Sequence, residues 1–157
     1  MGNIKSVLLV CTGNSCRSVM AEALLKKYLK ELGKDDINVT SAGVGTIGGL
    51  SPTDETIAVM KDDGLDVSGH RSTRLDENIV KGADLILVME AMHRDFIDSN
   101  FPEGSYRTYL LKEYGIESEP NYPEAMNIAD PIAKPIEYYK LSLAVIRDQV
   151  KRIAQLL

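Results

Sequence analysis

An α/β fold, built as a four-stranded parallel sheet flanked by helices on both faces, is what this sequence predicts, and three observations carry it. Short β-branched and leucine-rich runs alternate along the chain with stretches of helical period. The first run, Ile4–Val10, is continuously apolar rather than alternating, as in a strand buried on both sides. It then passes through a glycine-containing turn straight into a helical pattern, which places a phosphate-binding loop after the first strand. The 157 residues are 44% hydrophobic and carry no repeat, low-complexity tract or Gly/Ser linker, so one domain over residues 1–157 is expected.

The elements follow in order. From Ser18, the residues Met20, Ala23, Leu24, Tyr28 and Leu32 recur at spacings of three and four, and Gly33 ends the run. Ile37–Ser41 reads as a second strand. A helix is expected from Thr53 or Asp54 to Asp63, entered through Pro52, a residue suited to a first turn. Asp76–Lys81 reads as a short helix, Ala83–Met89 as the third strand and Ala91–Ser99 as a helix. Tyr106–Leu111 is the fourth predicted strand, with a short turn at Lys112–Tyr114. Ser118–Pro135, with four prolines, is expected to be irregular, and loops of that length in compact domains are more often functional than idle. An amphipathic helix from about Ile136 closes the chain, with Tyr139, Leu143, Ile146, Val150 and Ile153 on one face.

Charge and composition remove several function classes. A net charge of −5 argues against a nucleic-acid partner, whose binders usually present a basic face. No apolar run reaches the ~18 residues of a membrane span, and the opening lacks the charged-then-apolar order of a signal peptide. Met1-Gly2-Asn3-Ile4-Lys5-Ser6 fits an acylation pattern, but one acyl chain without a polybasic patch anchors poorly. A cytoplasmic protein without a membrane partner is the expectation. Two cysteines do not make a disulfide scaffold, and Cys11, Cys16, His70 and His93 lack the spacing of a zinc finger or ribbon. No metal or other cofactor is expected.

The chemistry-bearing segment is Cys11-Thr12-Gly13-Asn14-Ser15-Cys16-Arg17-Ser18. A turn of this kind at a helix N-terminus points free backbone N–H groups inward, and the helix dipole adds partial positive charge. Thr12, Gly13, Asn14, Ser15, Cys16 and Ser18 are therefore candidate phosphate-binding positions. Arg17, six residues after Cys11, can lay its planar fork across two phosphate oxygens. The same field favours a thiolate at Cys11, to which Ser18 can donate a hydroxyl hydrogen. A thiolate behind phosphorus can displace an alcohol or phenol in line and leave a phosphocysteine that water later clears. Such chemistry needs an acid for the leaving group. Asp130, in the one long loop, is a candidate, although Asp-Pro is equally a common turn dipeptide.

The sequence resembles the low-molecular-weight protein tyrosine phosphatases over nearly its whole length. The resemblance is carried by the Cys11–Ser18 loop, Ser41-Ala42-Gly43, His70, Leu85-Ile86-Leu87-Val88-Met89 and Asp130-Pro131. It implies a metal-independent phosphatase acting on phosphorylated protein, with Cys11, Arg17 and Asp130 catalytic. It further implies that Asn14, Ser18, Ser41 and His70 form a network bracing the loop, although His70 could equally be a histidine satisfied elsewhere. Cys16 falls where relatives carry a second cysteine able to trap Cys11 as a disulfide, which would make a thiol reductant a partner.

Three departures bear on the substrate. Ile132 follows Asp-Pro where many tyrosine phosphatases have an aromatic residue, and Ile47 stands where relatives often use Trp or Tyr. Both are candidate pocket residues, and neither stacks on a phenyl ring as an aromatic does. Ser15 is polar where tyrosine-specific members tend to be aliphatic, and phosphoarginine-specific relatives usually have Thr there. Protein arginine phosphatase is thus the alternative function. The loop also looks like that of arsenate reductases on this fold, but their disulfide relay uses later cysteines, and none follows Cys16. A non-catalytic phosphate-binding module would need neither thiolate nor acid. Gly43–Gly48 spells G-x-G-x-x-G, yet a dinucleotide site needs the helix to begin inside that motif, and here the helix is expected after Pro52.

Overall fold

The strands Ser6–Cys11 (β1), Asn38–Gly43 (β2), Leu85–Val88 (β3) and Thr108–Leu110 (β4) pair in the order β2-β1-β3-β4, all parallel. The computed structural model describes residues 3–117 and 123–157. Met1 and Gly2 of the acylation-like opening, and 118–122 of the long loop, lie outside them. Between the strands run Arg17–Glu31 (α1), Asp54–Asp62 (α2), Glu77–Lys81 (α3) and Ala91–Asn100 (α4), and Ile136–Leu156 (α5) closes the chain.

Alternate side chains of β1 go to opposite faces, and both faces are covered. Val7, Leu9 and Cys11 join a cluster with Leu24, Leu25 and Met20 of α1 and with Tyr139, Leu143, Ile146, Val150 and Ile153 of α5. Leu8 and Val10 join Val80 of α3, Ile97 of α4, Ile86, Val88 and Leu110 on the other face. The predicted stripe of α5 is thus the buried one. Because β1 lies between β2 and β3, the chain leaves β1 to one side and returns to the other. The loop after β1 therefore opens at the switch point of the sheet, where open α/β sheets bind ligands.

Several boundaries differ from the sequence reading. β1 starts two residues later and includes Cys11, because the Lys5 and Ser6 amides donate to the Asp84 carboxylate. Thr53 caps α2 by accepting from the Thr56 amide at 3.2 Å, so Pro52 precedes the cap rather than opening the helix. The fourth strand is only Thr108–Leu110. Residues Pro102–Arg107 form a 3₁₀ helix instead, with Pro102 in its first turn and Arg107 donating to the carbonyls of Val80, Ala83 and Glu103. Within the long loop, Pro123–Met126 is a further 3₁₀ turn. Gly43 ends β2, Val44–Gly48 is loop, and no helix begins between that loop and Asp54.

Candidate active site

Cys11 ends β1, and Arg17 begins α1, so the five residues between them bridge a strand C-terminus and a helix N-terminus. The turn is possible because Asn14 adopts a left-handed φ of 52°, a region asparagine enters more easily than most residues. Gly43 lets the loop come close. A Cβ there would lie 2.6 Å from the Thr12 carbonyl oxygen and 3.0 Å from the Asn14 nitrogen. The amides of Gly13, Ser15, Cys16 and Arg17 donate to no described residue, whereas the Asn14 amide donates to Cys11 Sγ at 3.3 Å. Cys16 supplies no side-chain cap to α1, and its first turn holds no acid. These are donors collected at a positive helix end, an arrangement that takes an anion.

Under the loop runs a chain of hydrogen bonds whose directions can be read. The Thr73 amide donates to Asn14 Oδ1 at 2.9 Å, which leaves Asn14 Nδ2 to donate to Ser18 Oγ (2.7 Å) and Ser41 Oγ (2.9 Å). Ser41 passes its hydrogen to Glu22 at 2.6 Å. Ser18 Oγ, already an acceptor from Asn14, is 2.9 Å from Cys11 Sγ and has a hydrogen with which to donate to a thiolate there. His70 Nε2 lies 3.1 Å from the Asn14 carbonyl oxygen, which ties a distant loop to the left-handed residue.

Arg17 is almost wholly buried. Nη1 donates to Glu90 at 2.6 Å and to the Ile128 carbonyl at 2.7 Å. Nη2 lies 3.4 Å from Asp130 Oδ2 and 3.5 Å from Thr12 Oγ1. Nε has no partner among the described residues. A buried guanidinium N–H is costly to leave unmade, so an orphan beside uncommitted amides marks a ligand's place. Glu90 also heads α4, where its amide donates to His93 Nδ1 at 3.1 Å, and His93 Nε2 lies 2.9 Å from Thr12 Oγ1. Burial pushes the His93 imidazole down from 6.5 to about 4, with the Arg17 charge adding to the effect, so the ring is neutral near pH 7.

The structure thus brings Cys11, Thr12, Gly13, Asn14, Ser15, Cys16, Arg17, Ser18, Ser41, His70 and Asp130 into one connected site. Ile47 and Ile132 are exposed, at 85% and 51%. Asp130 Oδ1 accepts from the Ile132 amide at 3.1 Å, so Asp130 is held partly by its own turn. Cys16 is buried, with Sγ 3.6 Å from Thr53 Oγ1 and 3.7 Å from Ser15 Oγ, and both cysteines are free. Sequence reasoning missed Glu22, Thr73, Glu90 and His93. Glu90 and His93, three apart at a helix start, carry a capping pattern that could have drawn attention to both. A cleft of about 740 Å³ lined by Arg94, Tyr106 and Tyr109 includes none of the loop residues. No cluster of three or more His, Cys, Asp or Glu suited to a metal occurs among the described residues.

Residues 6–157 match the model of the family described as low molecular weight phosphotyrosine protein phosphatase. The chain belongs to this family. Its relatives span three activities. It is 35% identical over 147 residues to a probable low molecular weight protein-tyrosine-phosphatase, EpsP, of Ralstonia nicotianae, covering 94% of this chain and 92% of that protein. It is 37% identical over 139 residues to an arsenate reductase of Staphylococcus aureus, covering 87% and 96%. The solved YwlE arginine phosphatase from Geobacillus stearothermophilus superposes with a TM-score of 0.84 at 34% identity, covering 96% of this chain and 91% of that one. Membership makes the chain a hydrolase of the low-molecular-weight phosphatase class, a family characterised by cysteine-based catalysis.

Proposed function

We propose that this phosphatase hydrolyses phosphotyrosine in proteins, with Cys11 as nucleophile, Arg17 as the clamp on the phosphoryl oxygens and Asp130 as the acid. The observation that carries the reading is the orphaned Arg17 Nε, buried beside uncommitted loop amides and on the same side chain that meets Asp130. Cys11 Sγ attacks phosphorus, the S–P bond forms as the P–O bond to the leaving group breaks, and Asp130 gives its proton to that oxygen. Asp130 then takes a proton from water, which attacks the phosphocysteine, releases inorganic phosphate and restores the thiolate. The Ser18 hydroxyl, fixed by Asn14, stabilises sulfur at departure.

The test is hydrolysis of p-nitrophenyl phosphate without added metal, inhibited by vanadate. Cys11→Ser should abolish turnover and keep measurable phosphate binding. Full activity in that variant would remove Cys11 from the chemistry.

Phosphoarginine is the second reading, favoured by the Ser15 hydroxyl at the loop and by the exposed aliphatic Ile47 and Ile132 where a phenyl ring would prefer flat walls. An arsenate reductase relay needs a cysteine beyond Cys16, and the sequence has only Cys11 and Cys16. We further propose a cytoplasmic setting, because a reactive free thiol pair persists in a reducing compartment. There Cys16 captures oxidised Cys11 and a thiol reductant reverses the bond. No helix among the described residues is long and apolar enough to cross a membrane. Brief peroxide should yield a reversible Cys11–Cys16 disulfide by mass spectrometry, and its absence would end the redox proposal.

A further inference from the structure

We infer that the Thr12 side chain is an additional donor to a non-bridging phosphoryl oxygen, and that His93 is the positioning residue that aims it. The inference rests on the phosphatase reading above and extends it to two residues outside the nucleophile, clamp and acid.

The argument is one of hydrogen inventory. A hydroxyl has one hydrogen to give and two lone pairs with which to accept. Thr12 Oγ1 has two partners among the described residues, His93 Nε2 at 2.9 Å and Arg17 Nη2 at 3.5 Å. The arginine can only donate. The histidine's role follows from its other nitrogen. The Glu90 backbone N–H donates to Nδ1 at 3.1 Å, so Nδ1 carries no hydrogen and Nε2 does. Burial keeps the ring neutral, which preserves that tautomer. Nε2–H therefore donates to Thr12, and both lone pairs of the hydroxyl are engaged. Its own hydrogen is left without an acceptor in the described protein.

That hydrogen is placed where an acceptor would arrive. Arg17 Nη2 is shared between Thr12 Oγ1 and Asp130 Oδ2. A phosphoryl oxygen taken up by this face of the guanidinium comes within reach of the Thr12 hydroxyl. The Thr12 methyl packs toward Gly45, where an added Cβ would meet Thr12 Cγ2 at 3.2 Å. Three helix-to-loop links thus act in series: the head of α4 sets the His93 tautomer, His93 sets the Thr12 rotor, and Thr12 faces the anion. A histidine free to adopt either tautomer would let the hydroxyl turn its hydrogen onto the ring and away from substrate.

The test separates donation from mere structural support. Competitive inhibition by inorganic phosphate, and kcat and KM on p-nitrophenyl phosphate, are measured for the wild type and five variants. Thr12→Val removes the hydroxyl and keeps the shape. It should weaken phosphate roughly tenfold to a hundredfold, the worth of a hydrogen bond to a charged group. Thr12→Ser keeps the hydroxyl and should stay within about threefold of wild type. His93→Asn keeps an acceptor for the Glu90 amide but offers Thr12 no donor, so it should reproduce most of the Thr12→Val loss. His93→Gln restores a donor and should recover part of it. In the double variant, His93→Asn should add nothing to Thr12→Val, because both act on one hydrogen.

Wild-type phosphate affinity in a folded Thr12→Val, or losses that multiply in the double variant, would overturn the inference. Thermal unfolding of each variant identifies any that fail to fold, and in that case the Thr12→Val and Thr12→Ser pair decides. A wild type that neither hydrolyses the substrate nor binds phosphate would instead sink the phosphatase reading itself. The two failures are therefore distinguishable.

Discussion

The floor of the site and its rim are built on different principles. The floor, Cys11 with Asn14, Ser18, Ser41 and Glu22, is a continuous hydrogen-bonded chain. Asn14 and Ser18 are fully buried. The rim, Ile47 and Ile132, is exposed, and a short local turn ties Ile132 to Asp130. Satisfied buried polar networks rigidify and specify one arrangement, whereas exposed loops change at little cost. On the proposed function, the floor would carry the phosphoryl chemistry and the rim the choice of leaving group. Changes in the floor should lower turnover on every substrate alike. Changes at the rim should alter ratios between substrates.

Asp130 sits between the two, meeting Arg17 on one oxygen and its own turn on the other. Asp130→Asn should cost roughly 10²–10⁴ in kcat for alkyl or unactivated phenyl phosphates. It should cost far less for activated phenols that leave unaided. Equal losses on both would make Asp130 a structural member of the floor, and a leaving-group series decides this.

His93, bonded to Thr12, offers a test of burial beside the loop through pH. Its folded imidazole titrates near 4, below the ordinary 6.5, so the unfolded chain takes up the proton first as pH falls. This contribution is full above about pH 6.5, declines on acidification and levels off near pH 4, amounting to roughly 3 kcal/mol. Denaturant melts at pH 7 and pH 5 should show wild type losing more stability than His93→Gln. Parallel losses would mean that His93 is solvated.

Asn14→Ala removes two donors and one acceptor from the buried chain and places alanine at a positive φ. A stability loss of about 1–3 kcal/mol and an equal fall in kcat on all substrates are expected. A change confined to one substrate class would break the division between floor and rim.

The division also explains what the sequence made legible. Strands and helices with strong period were readable because burial on one face imposes the pattern, as in the continuous β1 and the five-residue stripe of α5. The loop from Cys11 to Ser18 was readable because its partners are contiguous in sequence. Glu90 and His93 were not, since their contacts with Arg17 and Thr12 join residues 73 and 81 positions apart. Nothing local in a helix start announces a distant guanidinium. Tyr106 and Arg107 fall within the predicted fourth strand, Tyr106–Leu111. Pro102 and the carbonyls that capture Arg107 select a 3₁₀ helix instead.

Ser15 carries the smallest expected effect and the sharpest test of specificity. Ser15→Ile should shift the ratio of phosphotyrosine to phosphoarginine turnover about tenfold toward phosphotyrosine, by removing a polar partner and adding apolar contact. An unchanged ratio in paired peptide assays would place specificity at Ile47 and Ile132 alone.

The measurement that bears most directly on the account is capture of the phosphoenzyme. Asp130→Asn, slowed in clearing its intermediate, is mixed with p-nitrophenyl phosphate, quenched during turnover and digested for mass spectrometry. The account predicts one phosphoryl group on the peptide containing Cys11, located on its sulfur and absent from Cys11→Ala. Steady turnover with Cys11 unmodified, or a phosphoryl group on another side chain, would contradict it.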